Sequence, residues 1–269
     1  MPHASRPKVA NQSKQDSLES YLRARRDAGR KLLVPYITGC ARGWKDAARV
    51  AAANGADALE IGIPFSDPVM DGPVIQRASA QALADGATLP AIFDGIRTLD
   101  VQIPLVVMCY YNTVFRAGHE RFARQLADAG VKGVIVPDLP LEEAGDWCNA
   151  ADQADLASVM LAAPTAPDER LKRIADRSRG FVYAVGLLGV TGEREQLASS
   201  ALTIAKRTKQ VTSLPVLVGV GVSDAQQARE ACTVADGVIQ GAAIMRRLLD
   251  EGVDSVGEFV GEVRRALDE

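Results

Sequence analysis

Proton transfer in this chain must fall to carboxylates, tyrosines or lysines. Only two histidines are present, His3 near the amino terminus and His119 ahead of a helical pattern, so a Ser-His-Asp triad or a histidine metal site has almost nothing to work with. Two acids stand out by their surroundings. Glu60 interrupts the apolar run Ala58-Leu59-Glu60-Ile61-Gly62-Ile63, and a carboxylate there is costly unless it is paired or opens into a ligand cavity. Asp71 follows in Pro64-Phe65-Ser66-Asp67-Pro68-Val69-Met70-Asp71-Gly72-Pro73, where prolines and glycine dictate a stiff loop rather than a helix. Such a loop can fold back and aim both acids into one pocket as a general acid–base pair. The same residues also fit a salt-bridged strand end followed by a helix N-cap.

The elements that would hold these acids follow from the rhythm of the chain. With 269 residues and 47% hydrophobic content, one sizeable core is within reach. A net charge of −3 leaves no basic footprint for nucleic acid. No apolar run reaches the roughly 18–20 residues of a membrane helix. Residues 1–15 are polar, lack the apolar core of a secretory signal and read as a disordered tail. Four separated cysteines, Cys40, Cys109, Cys148 and Cys232, show no metal or disulfide spacing and fit a reduced, cytoplasmic protein. Asp16, with Glu19 as its capping-box partner, would start an N-terminal helix whose Leu18, Tyr21 and Leu22 share one face.

After that helix, strand-like runs recur at 32–37, 58–63, 105–110, 133–136, 158–162, 181–185, 216–220 and 237–239. Helical patterns lie between them at 44–53, 74–84, 120–129, 142–151, 168–176, 201–209 and 224–232, and a last one follows at 243–249. Eight alternations over residues 16–269 without a linker predict an α/β fold, a single (β/α)8 barrel with an extra N-terminal helix; a doubly wound open sheet is the alternative. In a barrel the chemistry sits at the C-terminal strand ends. Glu60 lies there, as do Tyr110, Tyr111 and Asn112 closing strand three, Asp138 after strand four and Tyr183 in strand six. The tyrosines also suit wall packing, and Asp138 suits a turn between prolines. Gly219-Val220-Gly221-Val222-Ser223 and Gln240-Gly241-Ala242-Ala243 fall where barrels bind phosphate through backbone amides and a helix N-terminus, with Gly192 available from loop six. No basic residue lies in these turns, so amides and the helix dipole would carry the binding.

The run Glu60-Ile61-Gly62-Ile63-Pro64-Phe65-Ser66-Asp67-Pro68 with Asp71-Gly72-Pro73 resembles the signature of the tryptophan synthase alpha subunit family. The likeness continues through Val34-Pro35-Tyr36-Ile37-Thr38, Tyr110-Tyr111-Asn112, Pro137-Asp138-Leu139-Pro140, Gly189-Val190-Thr191-Gly192 and Ala235-Asp236-Gly237-Val238-Ile239. It implies a lyase that cleaves indole-3-glycerol phosphate to indole and glyceraldehyde 3-phosphate, a retro-aldol reaction without a cofactor. By the same likeness Glu60 is the general acid/base and Asp71 holds the indole N–H. Tyr36, Tyr110, Ile135, Tyr183 and Val220 would form the indole cleft; Gly192, Gly221, Gly241 and Ala242 would hold the phosphate. The resemblance further implies a pyridoxal-phosphate beta subunit as partner, in an alpha2-beta2 assembly that receives indole internally, with loops at 64–73 and 187–197 closing over the site.

Three positions depart from the family pattern. Gly186-Leu187 stands where a Ser-Arg pair is frequent, Ala242 replaces the serine after the last phosphate glycine, and Gly39-Cys40-Ala41-Arg42 replaces an acidic turn. Both acids are retained, so an active lyase is expected, within the synthase or as a stand-alone source of indole. A catalytically weak subunit that activates a beta partner, and a barrel acting on another sugar phosphate, are the competing readings.

Overall fold

The computed structural model describes residues 17–186, 194–219 and 221–269, with residues 194–199 described by backbone alone. Helix α1 (Leu18–Asp27) leads into β1 (Leu32–Thr38), α2 (Trp44–Ala53), β2 (Leu59–Gly62), α3 (Pro73–Ala84), α4 (Leu89–Arg97) and β3 (Leu105–Met108). There follow α5 (Tyr111–Ala117), α6 (His119–Asp128), β4 (Gly133–Ile135), α7 (Gly145–Gln153), β5 (Ala157–Ala162), α8 (Asp168–Arg177) and β6 (Val182–Val185). The chain ends with α9 (Arg194–Lys209), β7 (Val216–Gly219), α10 (Ala225–Cys232), β8 (Gly237–Gln240), α11 (Ala242–Asp250) and α12 (Val253–Asp268).

Each strand pairs in parallel with the next, and β8 pairs with β1, so the sheet closes into a (β/α)8 barrel and the open-sheet alternative is excluded. The strands are apolar on both faces because side chains point alternately into the barrel and under the helices. The β1–β8 seam needs Gly237, where a Cβ would stand 2.3 Å from the Leu32 carbonyl oxygen. Among the described residues, no helix is long and apolar enough to cross a membrane.

Three features differ from the sequence reading. Strand three stops at Met108, and Tyr111 and Asn112 belong to α5, with Tyr110 as its N-cap. The cause is distant in sequence: the Asp138 carboxylate accepts a 2.8 Å hydrogen bond from the Tyr111 amide and so starts that helix. Helices α4 and α12 are likewise additional to the predicted set. At the amino end Ser17 is the N-cap of α1, its Oγ accepting from the Ser20 amide at 3.2 Å; Glu19 pairs with Arg23 rather than closing a capping box. Asp16 and the tail at 1–15 lie outside the described residues.

Helix α1 closes the barrel floor. Leu18 fills space that only glycine leaves open at Gly133 and Gly180. Nearby, the fully buried Asp57 carboxylate accepts from Arg30 Nε (2.6 Å), Arg25 Nη1 (3.2 Å), Arg264 Nη1 (3.3 Å) and the Leu33 amide (2.9 Å). One side chain thereby joins α1, β1 and α12. Removing Asp57 takes a partner from the buried Arg264 guanidinium and the Leu33 amide, while Arg25 and Arg30 keep access to solvent, at a cost of about 3–5 kcal/mol. Asp57→Ala is therefore expected to lower unfolding stability in urea by that amount; a loss below about 1 kcal/mol, the size of a surface pair, would contradict this role.

Candidate active site

Strand β2 places Glu60 in register with Tyr36 of β1 and Val106 of β3. Alternation turns its side chain into the barrel, where it is only 3% exposed and its Oε2 has no hydrogen-bond partner. Burial, reinforced by the nearby Asp71 charge, pushes its carboxyl up to about 8. At neutral pH it is thus a protonated acid held at the barrel mouth.

Asp71 arrives from the opposite direction, on the loop between β2 and α3. Phe65 anchors that loop by stacking on Tyr110, with ring centroids 5.0 Å apart and an 18° interplanar angle. The Tyr110 hydroxyl accepts from the Met70 amide at 3.0 Å and donates to the Asp71 carboxylate. Gln76 holds the Asp71 carbonyl oxygen at 2.9 Å, fixing the loop to the first turn of α3. Burial raises the Asp71 carboxyl to about 6, against the lowering effect of the Tyr110 hydrogen bond. At pH 7 Asp71 is therefore ionised while Glu60 is neutral, and two carboxylates acquire separate roles from their environments.

Both acids open onto one cavity of about 390 Å³, within the usual range for a small-molecule site. Tyr36, Ile135 and Tyr183, which the resemblance assigns to the indole cleft, and Gly221, Gly241 and Ala242, which it assigns to the phosphate, all line it. Tyr110 does not line it; buried behind the wall, it positions Asp71. Val220 and Gly192 lie outside the described residues. Two strand-end glycines make room for tyrosines rather than ligand. A Cβ at Gly62 would stand 2.0 Å from the Tyr36 hydroxyl oxygen, and one at Gly219 2.1 Å from that of Tyr183. Burial and the nearby acids hold both tyrosines well above their ordinary value, as neutral hydroxyls.

The far end of the cavity is built of backbone. Gly221 has φ +88 with open space where a Cβ would be, a conformation suited to glycine. Gly241 precedes α11 without any side-chain cap, so the first amides of that helix are left for water or a ligand at the cavity wall. Gly186 also lines the cavity; Leu187 and the rest of that loop through 193 lie outside the described residues. Among the described residues, no group of three or more His, Cys, Asp or Glu is arranged to hold a metal ion.

The structure adds Met70, Ile75, Met108, Leu161, Ser223 and Arg246 to the wall. Met108 and Leu161 are the register partners of Ile135 and Tyr183, so inward alternation could have found them. Arg246 lies one turn inside α11 and gives the cavity a cation that the glycine turns lack.

The model of the family described as tryptophan synthase alpha chain matches residues 22–263. The tryptophan synthase alpha chain of Oceanobacillus iheyensis is 40% identical over 250 residues, spanning 91% of this chain and 95% of its own length. That of Streptomyces coelicolor is 42% identical over 245 residues, 89% of this chain and 90% of its own. Among solved structures, tryptophan synthase from M. tuberculosis in its aminoacrylate- and BRD0059-bound form superposes with a TM-score of 0.85 at 34% identity, covering 93% of this chain and 97% of that one. Tryptophan synthase subunit alpha from Legionella pneumophila gives 0.83 at 30% identity, covering 93% and 98%.

Proposed function

The chain belongs to the tryptophan synthase alpha chain family, which makes it a lyase of tryptophan biosynthesis, and from that premise we propose that it splits indole-3-glycerol phosphate into indole and glyceraldehyde 3-phosphate. The observation that carries this reading is the pair Glu60 and Asp71, one neutral and one charged, opening onto the same apolar cavity.

The reaction breaks the bond between indole C3 and the first side-chain carbon. Glu60 delivers its proton to C3, and positive charge develops toward the ring nitrogen. The Asp71 carboxylate accepts the ring N–H and stabilises that charge. Glu60, now ionised, takes the proton from the adjacent side-chain hydroxyl as the carbon–carbon bond breaks. The bond electrons restore the aromatic ring, the hydroxyl carbon becomes the aldehyde, and Glu60 is protonated again. No net proton is consumed and no cofactor is required. Ile135, Met108 and Leu161 exclude water around the ring, and the amides of Gly221, Gly241 and Ala242 hold the phosphate.

Activity then needs Asp71 ionised and Glu60 protonated. For indole release by the purified chain, kcat/KM is expected to rise through about pH 6 and fall through about pH 8. A profile that keeps rising above pH 8 would show that Glu60 acts from its charged form and would overturn this assignment.

The product and family support a cytoplasmic beta-subunit partner that carries pyridoxal phosphate and consumes indole. Val69, 75% exposed on the Asp71 loop, and Phe115, 65% exposed on α5, offer apolar surface beside the same mouth of the barrel. Adding a beta subunit to the indole assay tests this: stimulation supports the partnership, and unchanged turnover by an already active chain indicates a stand-alone lyase.

A further inference from the structure

One charge on the cavity wall has no part in the chemistry above. Arg246 lines the cavity beside Gly241 and Ala242, is exposed, and makes no hydrogen bond or ion pair with any described residue. Its neighbours are committed elsewhere. Arg247 lies over the Phe259 ring, 3.7 Å from the centroid, and donates to the Ala243 carbonyl oxygen at 3.1 Å. Asp250 is paired with Arg77 at 2.7 Å. Among the described residues Arg246 is the only cation on this wall, and the other ionisable groups there are two acids and two tyrosines.

Helix geometry gives this cation a direction. Residues one turn apart share a face, and long side chains lean back toward the helix N-terminus. Arg246 lies one turn beyond Ala242, which puts the first turn of α11, where the leading amides lack helical partners, within reach of its side chain. Gly221 leaves open space at the same end of the cavity. That the cavity is built for a ligand is supported independently by Glu60, whose buried Oε2 has no partner within it.

We propose that Arg246 is the counter-ion of the substrate's phosphate, folding over the first turn of α11 to add a charge-assisted, two-pronged contact to the backbone amides. The role rests on the lyase reading for the identity of the whole substrate, but the phosphate contact can be read without turnover.

The test titrates the full wild-type chain and Arg246→Gln with glycerol 3-phosphate and, separately, with indole, alongside steady-state kinetics. Loss of the guanidinium is expected to weaken glycerol 3-phosphate binding roughly tenfold and leave indole affinity unchanged. KM for indole-3-glycerol phosphate should rise in parallel, with kcat held within about twofold, because the contact is the same in ground and transition states. Arg246→Lys should recover part of the loss, retaining the charge without the planar fork. Unchanged glycerol 3-phosphate affinity in Arg246→Gln, or an equal loss for indole, overturns the proposal. If phosphate binding depends on Arg246 but the wild-type chain releases no indole, the inference stands and the lyase reading falls.

Discussion

Glu60→Gln is expected to abolish indole release, lowering kcat by roughly 10²–10⁴-fold, the usual contribution of a positioned acid–base group. The amide matches the carboxyl in shape and keeps hydrogen-bonding capacity, but it can neither give a proton to C3 nor take one from the hydroxyl. The fold should not suffer. A carboxyl whose value is raised from 4.5 to about 8 on folding favours the folded chain at low pH and loses that advantage as pH rises through about 8. The variant is neutral at every pH, so its stability relative to wild type should grow between pH 4.5 and 8. Loss of turnover together with gain of alkaline stability separates a chemical role from a structural one. Turnover within a few-fold of wild type would remove Glu60 from the mechanism.

Asp71→Asn should cost roughly 10²–10³-fold in kcat, because one well-placed group facing developing charge is commonly worth about 3–4 kcal/mol. Its signature differs from that of Glu60. Asparagine can still accept the ring N–H but carries no compensating charge, so the defect should lie in kcat more than in KM. The residual activity should lose its rise through about pH 6. Its alkaline limb should also move below about 8, because the Asp71 charge contributes to the raised value of Glu60. An unchanged pH profile in the variant would show that Asp71 is not the ionised partner.

The sequence revealed the barrel because each strand is a compact apolar run bounded by turn residues, and eight such runs leave few other arrangements. Elements whose cause is distant stayed hidden. Helix α5 begins where Asp138, from another loop, meets the Tyr111 amide. Helix α12 carries Gly257 and Gly261 in its interior, which argues against a helix locally. Both pack against α2, where Cβ atoms would meet Asn54 and, at Gly257, Val50 within 3.2–3.3 Å; tertiary packing overrides propensity there.

In the site, Glu60 and Asp71 were legible because each defies its local setting: a carboxylate inside a strand, and an acid at the end of a proline-stiffened loop. The glycine-rich turns were harder to read. Gly219 and Gly221 look alike in sequence, yet the first makes room for Tyr183 and the second keeps a positive φ beside open space. The resemblance puts Tyr110 in the cleft, but its hydroxyl serves the Asp71 loop from behind the wall. Arg246 carries no local signal, since it lies inside a helix and reaches the cavity only through helical spacing.

The most direct test is the structure of Glu60→Gln with uncleaved indole-3-glycerol phosphate bound. The indole ring should lie between residue 60 and Asp71, with its N–H within hydrogen-bond distance of the Asp71 carboxylate, C3 facing residue 60, and the phosphate at the amides of Gly221, Gly241 and Ala242. A ring bound outside the 390 Å³ cavity, or one whose nitrogen points away from Asp71, would contradict the account.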